Sequence, residues 1–266
     1  MMTPLAGLVL AISTIGVVAI VVLAAYLGVP IRHGSIYEKV QRFWAKSLVL
    51  AGGVRTTIHN PERIEQRNAC VYVGNHVSWY DVFTLASVLP RWSFVAKAEL
   101  RKIPVFGRGA EAVGTIFVER TNRRAALQMY EKAADRIREG ASVVVFAEGT
   151  RGDEYTLRPF KKGPFVLAIS AGVPIIPVVI MGTREVMARG SWIVRPNTVH
   201  LHFLEPIPTA GLTYSDRDRL VSQVWTIMAN TLQAEYGIQS DRRNAFGTEE
   251  VADARATPSD VGVVTQ

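Results

Sequence analysis

The chain has 266 residues, 48% of them hydrophobic, and 30 basic against 23 acidic side chains give a net charge of +7 and a pI near 9.7. That length holds one α/β domain of about 200 residues plus attachments, and the basic balance suits an anionic partner without choosing among nucleic acid, anionic lipid and a phosphorylated substrate. The single cysteine, Cys70, excludes an intrachain disulfide framework, and its apolar neighbours from Ala69 to Val73 mark it as core rather than a reactive thiol.

From Met1 to Pro30 no side chain is charged, and Leu5 to Leu27 is almost wholly apolar. This exceeds the roughly 20 residues a helix needs to cross a bilayer core. A cleaved signal peptide would carry a basic start and a shorter apolar run. Arg32, Lys39, Arg42, Lys46 and Arg55 follow at once. They assign this side to the cytoplasm and suit anionic headgroups. Within Ile36–Leu50, the residues Val40, Phe43, Trp44, Ser47 and Leu48 recur at helical spacing, which predicts a basic amphipathic helix at the interface.

After Gly52-Gly53 the pattern alternates between strands and helices. Short β-branched runs at Ala69–Val73, Phe94–Ala96, Thr115–Val118, Ser142–Phe146, Ile175–Ile180 and Thr198–Phe203 predict strands. Helices are predicted over Asp81–Val88, Arg124–Glu139 and Pro164–Ala171, the last ended by Gly172. A later helix is predicted from near Ser215, with Asp218 as the capping-box partner and Leu220, Val221, Val224, Trp225, Met228 and Leu232 on its apolar face. The alternation predicts an α/β fold, a mostly parallel sheet flanked by helices, preceded by an N-terminal membrane helix or helices.

Four stretches between the elements can carry chemistry. Gly74-Asn75-His76-Val77-Ser78-Trp79-Tyr80-Asp81 follows a strand and opens a helix. Residues five apart on a helix point about 140° from each other, so His76 and Asp81 meet only if the chain turns between them, as a strand–loop–helix junction does. The carboxylate can then hold one imidazole nitrogen while the other takes a proton from a hydroxyl. Phe146-Ala147-Glu148-Gly149-Thr150-Arg151-Gly152 joins a glycine turn to a planar arginine, a combination that suits a phosphate, and Lys161 and Lys162 add positive potential nearby. Gly114 to Arg120 is a strand ending in a Glu–Arg pair, and Val173-Pro174-Ile175-Ile176-Pro177-Val178 is an apolar strand with two prolines. Read singly, each also fits an ordinary turn, ion pair or buried strand.

Taken in chain order, the four blocks resemble the lysophosphatidic acid acyltransferases (1-acyl-sn-glycerol-3-phosphate acyltransferases), which carry Asn-His-x-x-x-x-Asp, Gly-x-Ile-Phe-x-Asp/Glu-Arg, Phe-Pro-Glu-Gly-Thr-Arg and a proline-containing apolar strand. The resemblance covers about residues 50 to 235. Ala147 stands where that family usually has proline, a change in backbone stiffness beside Glu148 that leaves the reacting groups alone.

The resemblance implies a glycerolipid acyltransferase fold and acyl transfer from a thioester to the sn-2 hydroxyl of lysophosphatidic acid. It implies His76 as general base and Asp81 as its orienting carboxylate. It further implies that Arg151, with Gly149, Thr150, Lys97 and Arg120, holds the acceptor phosphate, and that Glu148 fixes Arg151 or the glycerol hydroxyl. The missing Gly-x-Ser-x-Gly elbow agrees with direct transfer. The implied partners are a lysophospholipid acceptor, acyl-CoA or acyl carrier protein as donor, and membrane lipids. No cofactor or metal is expected, since His200 and His202 alone make a weak zinc site, and no nucleic acid, since the basic residues are scattered. The expected organisation is a membrane segment over 1–30, a basic juxtamembrane helix over 31–53, a catalytic domain over 54–238 on the cytoplasmic side of the cell membrane, and a disordered tail over 239–266. An acyltransferase for another lysolipid and a non-catalytic binder of anionic membranes are the competing expectations.

Overall fold

The computed structural model describes residues 3–29, 35–64, 68–90, 92–103, 106–112, 115–118, 133–134, 137–138, 140, 142–242 and 245. The strands are β1 (Arg55–His59), β2 (Val71–Gly74), β3 (Ser93–Lys97), β4 (Ile116–Val118), β5 (Val143–Phe146), β6 (Ile175–Met181) and β7 (Thr198–Phe203). The helices are α1 (Thr3–Tyr26), α2 (Ile36–Ala51), α3 (Trp79–Val88), α4 (Phe106–Ala112), α5 (Gly163–Ala171), the single turn α6 (Thr183–Val186) and α7 (Arg217–Tyr236).

The seven strands form one sheet in the order β1-β7-β6-β2-β5-β3-β4. Neighbours are parallel except β6 and β7, which are antiparallel. The expected mostly parallel sheet is therefore present, with a reversed pair, β1 and β7, along one edge. β1 is an addition to the predicted strands. Its sequence, Arg-Thr-Thr-Ile-His, holds one aliphatic residue and no buried one, so it lacks the apolar run that marks an inner strand.

Parallel pairing sets Gly74 level with Phe146 and Val178. The C-terminal ends of β2, β3 and β5 thus share one edge, where an open α/β sheet usually holds its ligand. Each sheet face is covered. α5 and α7 pack Phe165, Leu167, Leu220, Val224, Trp225 and Met228 against Val71, Val73, Val143 and Val145. On the other face Tyr72, Val144, Ile176 and Ile180 meet Tyr80 and Leu85 of α3 and Val49 of α2. All six apolar residues predicted for α7 are buried, each contributing about 1.5–3 kcal/mol. Its predicted cap is corrected. α7 starts at Arg217, and the capping box is Thr213 with Asp216 in the preceding 3-10 turn. Asp218 instead pairs with Lys162 at 2.7 Å.

α1 spans about 36 Å at 1.5 Å per residue and is tied to the rest of the chain along its length. Near its start Thr3 Oγ1 accepts the Val194 N–H (3.0 Å), and midway Thr14 Oγ1 accepts the Trp44 indole N–H (2.9 Å). Toward its end Val21 and Ala24 pack on Tyr37 and Val40 of α2. The outward side carries Leu5, Leu8, Ile12, Ile15 and Leu23, all exposed. By length and composition α1 can cross a membrane. The predicted face of α2 needs one revision. Val40 and Leu48 are buried, but Phe43 points outward and Tyr37, Gln41 and Ala45 complete the inner face.

Cys70 is fully buried. Of the helix predicted at Arg124–Glu139, only Ala133, Ala134, Ile137 and Arg138 are described, with Ala134 and Ile137 buried. The tail beyond 245 lies outside the described residues. His200 and His202 are joined by His59 from β1. The rings of His59 and His202 stack at 3.9 Å, and His202 Nε2 lies 2.6 Å from the Tyr236 hydroxyl.

Candidate active site

The loop leaving β2 makes the turn that His76 and Asp81 require. Ser78 is extended (φ −143°, ψ 159°) and caps α3, its Oγ accepting the Tyr80 N–H. Asp81 then sits in the first helical turn and faces back toward the loop. Its Oδ2 accepts the N–H groups of Val77 (2.7 Å) and Ser78 (2.8 Å) and lies 2.7 Å from His76 Nδ1. This is a capping box whose carboxylate also holds an imidazole. Asp81 is fully buried, and the His76 side chain is 14% exposed.

The second carboxylate oxygen is used as well. Oδ1 accepts the Thr183 hydroxyl at 2.5 Å, from the single turn after β6. That turn is braced from several sides. The Tyr155 hydroxyl accepts the N–H groups of Gly182 (2.8 Å) and Arg184 (2.9 Å) on either side of Thr183, and itself donates to Glu185 (2.7 Å). Gly182 has φ +96°, and a Cβ there would meet the Thr198 carbonyl oxygen at 2.2 Å, so only glycine fits. Ser78 Oγ donates to the Met187 carbonyl (2.7 Å), joining the α3 cap to the following loop.

Asn75 fixes the approach to His76 by pairing with the β6 backbone. Its Nδ2 donates to the Ile180 carbonyl (2.9 Å), and its Oδ1 accepts the Ile180 N–H (2.8 Å). The His76 ring stacks on Phe146 with centroids 4.0 Å apart. An Asp81 carboxylate at Nδ1 selects the tautomer whose lone pair is on Nε2.

Glu148 takes a different partner from the arginine expected for it. Its Oε1 accepts the His76 backbone N–H (3.0 Å), and its Oε2 accepts Arg158 Nε–H (2.9 Å). Arg151 is not its partner, and the glycerol hydroxyl is left as the other expected one. Arg158 also donates to the Thr150 carbonyl, and the Gly152 N–H to the His76 carbonyl (2.7 Å). The Glu-Gly-Thr-Arg turn is thereby sewn to the histidine loop. Burial pushes the Glu148 carboxyl up from its ordinary value, and Arg158 and the His76 N–H pull against that. Ala147 is fully buried, and its carbonyl accepts the Lys161 N–H (2.8 Å).

Arg151 lies with its guanidinium 4.9 Å from the Trp79 ring centroid. Burial lowers its pKa, and the charge of Arg189 adds to that. Gly149, Thr150 and Arg151 share with His76 the wall of a cavity of about 350 Å³. Thr14 and Val17 of α1, Trp44 of α2, Phe94 of β3 and Phe146 of β5 make much of its apolar lining. The lining is mostly apolar and includes the His76 imidazole and the Arg151 guanidinium. Lys97 ends β3 on the same edge of the sheet, with its side chain outside the described residues, and Arg120 lies outside them altogether. Lys162 is turned to Asp218. Among the described residues no group of three His, Cys, Asp or Glu side chains can hold a metal ion.

Thr183, Tyr155 and Arg158 escaped the sequence reading. The first lies 102 residues from Asp81 along the chain. Only the Gly-Thr pair directly after the proline-containing strand hinted at a tight turn there.

Comparison with known proteins points to acyltransferases. A family model described as Acyltransferase matches residues 55–181. The 1-acyl-sn-glycerol-3-phosphate acyltransferase beta of Homo sapiens is 34% identical over 206 residues, 76% of this chain and 74% of that protein. The 1-acyl-sn-glycerol-3-phosphate acyltransferase of Haemophilus influenzae is 37% identical over 172 residues, 64% of this chain and 71% of that one. The crystal structure of the 1-acyl-sn-glycerophosphate acyltransferase PlsC of Thermotoga maritima superposes with a TM-score of 0.75 at 22% identity, over 90% of this chain and 97% of that one, and has the same fold.

Proposed function

Because this chain belongs to the 1-acyl-sn-glycerol-3-phosphate acyltransferase family, we propose that it transfers a fatty acyl group from acyl-CoA or acyl carrier protein to the sn-2 hydroxyl of lysophosphatidic acid, with His76 as the base. One observation carries the residue assignment. A histidine held by a fully buried aspartate at 2.7 Å stands in the wall of an apolar cavity.

The chemistry follows from that arrangement. The acceptor oxygen attacks the thioester carbonyl carbon as His76 Nε2 takes its proton. Asp81 stabilises the imidazolium through Nδ1. The tetrahedral adduct then expels the thiolate, which takes the proton back from His76, leaving phosphatidic acid and free thiol. A thiolate leaves readily, so no acyl-enzyme is required. Arg151 binds the acceptor phosphate, with Lys97 and Arg120 assisting, while Gly149 and Thr150 line the approach. Glu148 acts through the backbone, holding the histidine loop and Arg158. The acyl chain lies in the cavity, where each buried methylene contributes about 0.8 kcal/mol.

The apolar outer side of α1 supports association with a membrane, and the basic residues after it support a cytoplasmic-facing catalytic side. The test is thiol release by detergent-purified protein from acyl-CoA or acyl-carrier-protein thioester, with and without lysophosphatidic acid. Acceptor-dependent release that vanishes in His76→Ala supports the reading and identifies the donor. Release that persists in folded His76→Ala removes the base assignment, and no release with any lysolipid removes the function.

A further inference from the structure

We propose that the loop Met187–Arg195 is a second membrane contact, seating Trp192 and Ile193 in the headgroup region of a glycerophospholipid bilayer beside the start of α1. The inference rests on the membrane association proposed above.

Trp192 is 78% exposed, and its neighbour Ile193 is also exposed. A tryptophan left in water is uncommon, whereas an amphipathic ring at a membrane interface is favoured. The exposure is built into the loop. The Ser191 N–H donates to the Ala188 carbonyl (3.0 Å) and the Arg195 N–H to the Val186 carbonyl (2.9 Å), while the Ile193 N–H donates to Ser191 Oγ (3.0 Å). These bonds hold the loop in shape while the two apolar side chains stand outside it.

The next residue turns the other way. Val194 is buried in the same cluster as Ala6 of α1, and its N–H donates to Thr3 Oγ1 (3.0 Å). Trp192 and Ile193 therefore stand one or two residues from a fixed contact with α1, whose Leu5, Leu8 and Ile12 are exposed. The apolar pair continues the surface that α1 offers to lipid. Arg189 and Arg195 are both exposed on either side of it, the mix of aromatic and cationic residues that suits anionic headgroups.

The same loop reaches the site. Met187 accepts the Ser78 hydroxyl at the α3 cap, and Arg189 pairs with Asp153 two residues beyond Arg151. Anchoring Trp192 in the headgroups thus holds the α3 cap and the Arg151 turn near the depth where a lysolipid carries its phosphate and glycerol.

Cys70 is fully buried, so an introduced surface thiol is readily labelled in the full chain. Three variants, Trp192→Cys, Leu8→Cys and Asn230→Cys, are labelled with an environment-sensitive fluorophore and bound to phosphatidylcholine–phosphatidylglycerol vesicles containing lipids brominated on the acyl chain. Asn230 is exposed on α7, across the sheet from α3 and α2. The expected result is a blue shift and bromine quenching at 192 and at 8, with neither at 230. A label at 192 that behaves like the one at 230 overturns the proposal. If position 8 is quenched in that case, the membrane reading of α1 stands and this inference alone fails. If position 8 is also unquenched, both fail. A label at 192 that is shielded as protein concentration rises, without bromine quenching, assigns the surface to a second copy and likewise overturns the proposal.

Discussion

Thr183 Oγ1 donates to Asp81 Oδ1 at 2.5 Å, so both oxygens of the carboxylate that holds His76 are fixed, one by the histidine loop and the other by the turn that follows β6. Without that hydroxyl a buried oxygen keeps its charge and loses its donor, at a cost of about 1.5–3 kcal/mol for a hydrogen bond to a charged group. Thr183→Val is expected to lower kcat by about tenfold to a hundredfold, since about 1.4 kcal/mol is one factor of ten. KM for both substrates should move little, and Thr183→Ser should restore most of the rate. Steady-state kinetics on the purified variants check this. A rise in KM with kcat intact would mean that Thr183 supports substrate binding instead.

Arg158 is the partner of a carboxylate whose side chain is 2% exposed. Arg158→Ala leaves Glu148 holding only the His76 N–H, and stability should fall by about 1–3 kcal/mol as a buried polar group goes unsatisfied. The double variant Arg158→Ala with Glu148→Gln should recover part of that loss, because the stranded charge is gone. Thermal unfolding of the three proteins in one detergent measures it.

The planar fork of Arg151 suits a phosphate and also lies against Trp79. Lysine keeps the charge but loses the fork. Arg151→Lys should therefore raise the lysophosphatidic acid KM roughly tenfold and leave the thioester KM near its original value. Equal rises for both substrates would detach Arg151 from the acceptor.

Val18 lines the apolar cavity from α1. A larger side chain there takes space from an acyl chain, and each methylene left in water forfeits about 0.8 kcal/mol. Val18→Phe should shift the preferred donor toward shorter chains in a competition among thioesters of graded length. An unchanged length profile would mean that the chain does not run past α1.

Burial, aided by His59, brings His202 down from the ordinary 6.5 to about 4. In the unfolded chain this ring takes a proton as pH drops below about 6.5, whereas the folded ring resists until about 4. Between those values the unfolded state binds more protons, so stability falls as pH falls. Melting temperatures recorded from pH 7.5 to pH 4.5 should therefore decline, and His202→Gln should decline less steeply across that window.

Much of this architecture was legible because buried elements write themselves in apolar periodicity. The inner strands β2, β5 and β6 are almost wholly apolar and rich in valine and isoleucine, and all six residues expected on the inner face of α7 are buried. β1 was missed because its exposed, polar side chains have no buried face to encode. The capping boxes show how degenerate a local pattern is. Ser78 with Asp81, Thr213 with Asp216 and Ser215 with Asp218 all have the right spacing, and the first two form. His76 and Asp81 lie five residues apart, so one local turn brings them together. The partners that brace them, Thr183, Tyr155 and Arg158, come from other elements, and only the folded sheet brings those elements together. Glu148 and Arg151 are three apart and look paired on paper, yet the turn points Glu148 at the histidine loop and Arg151 at Trp79.

The bonds from Val194 to Thr3 and from Trp44 to Thr14 hold α1, the long apolar helix, in place as a wall of the cavity. A shortened version that begins after this helix would gain solubility by leaving one flank of that cavity open to water. Such a version should still fold around its sheet, but it would bind long donors poorly and lose its grip on their length. Under the proposed reading, solubility and chain-length selectivity are coupled, because one helix serves both.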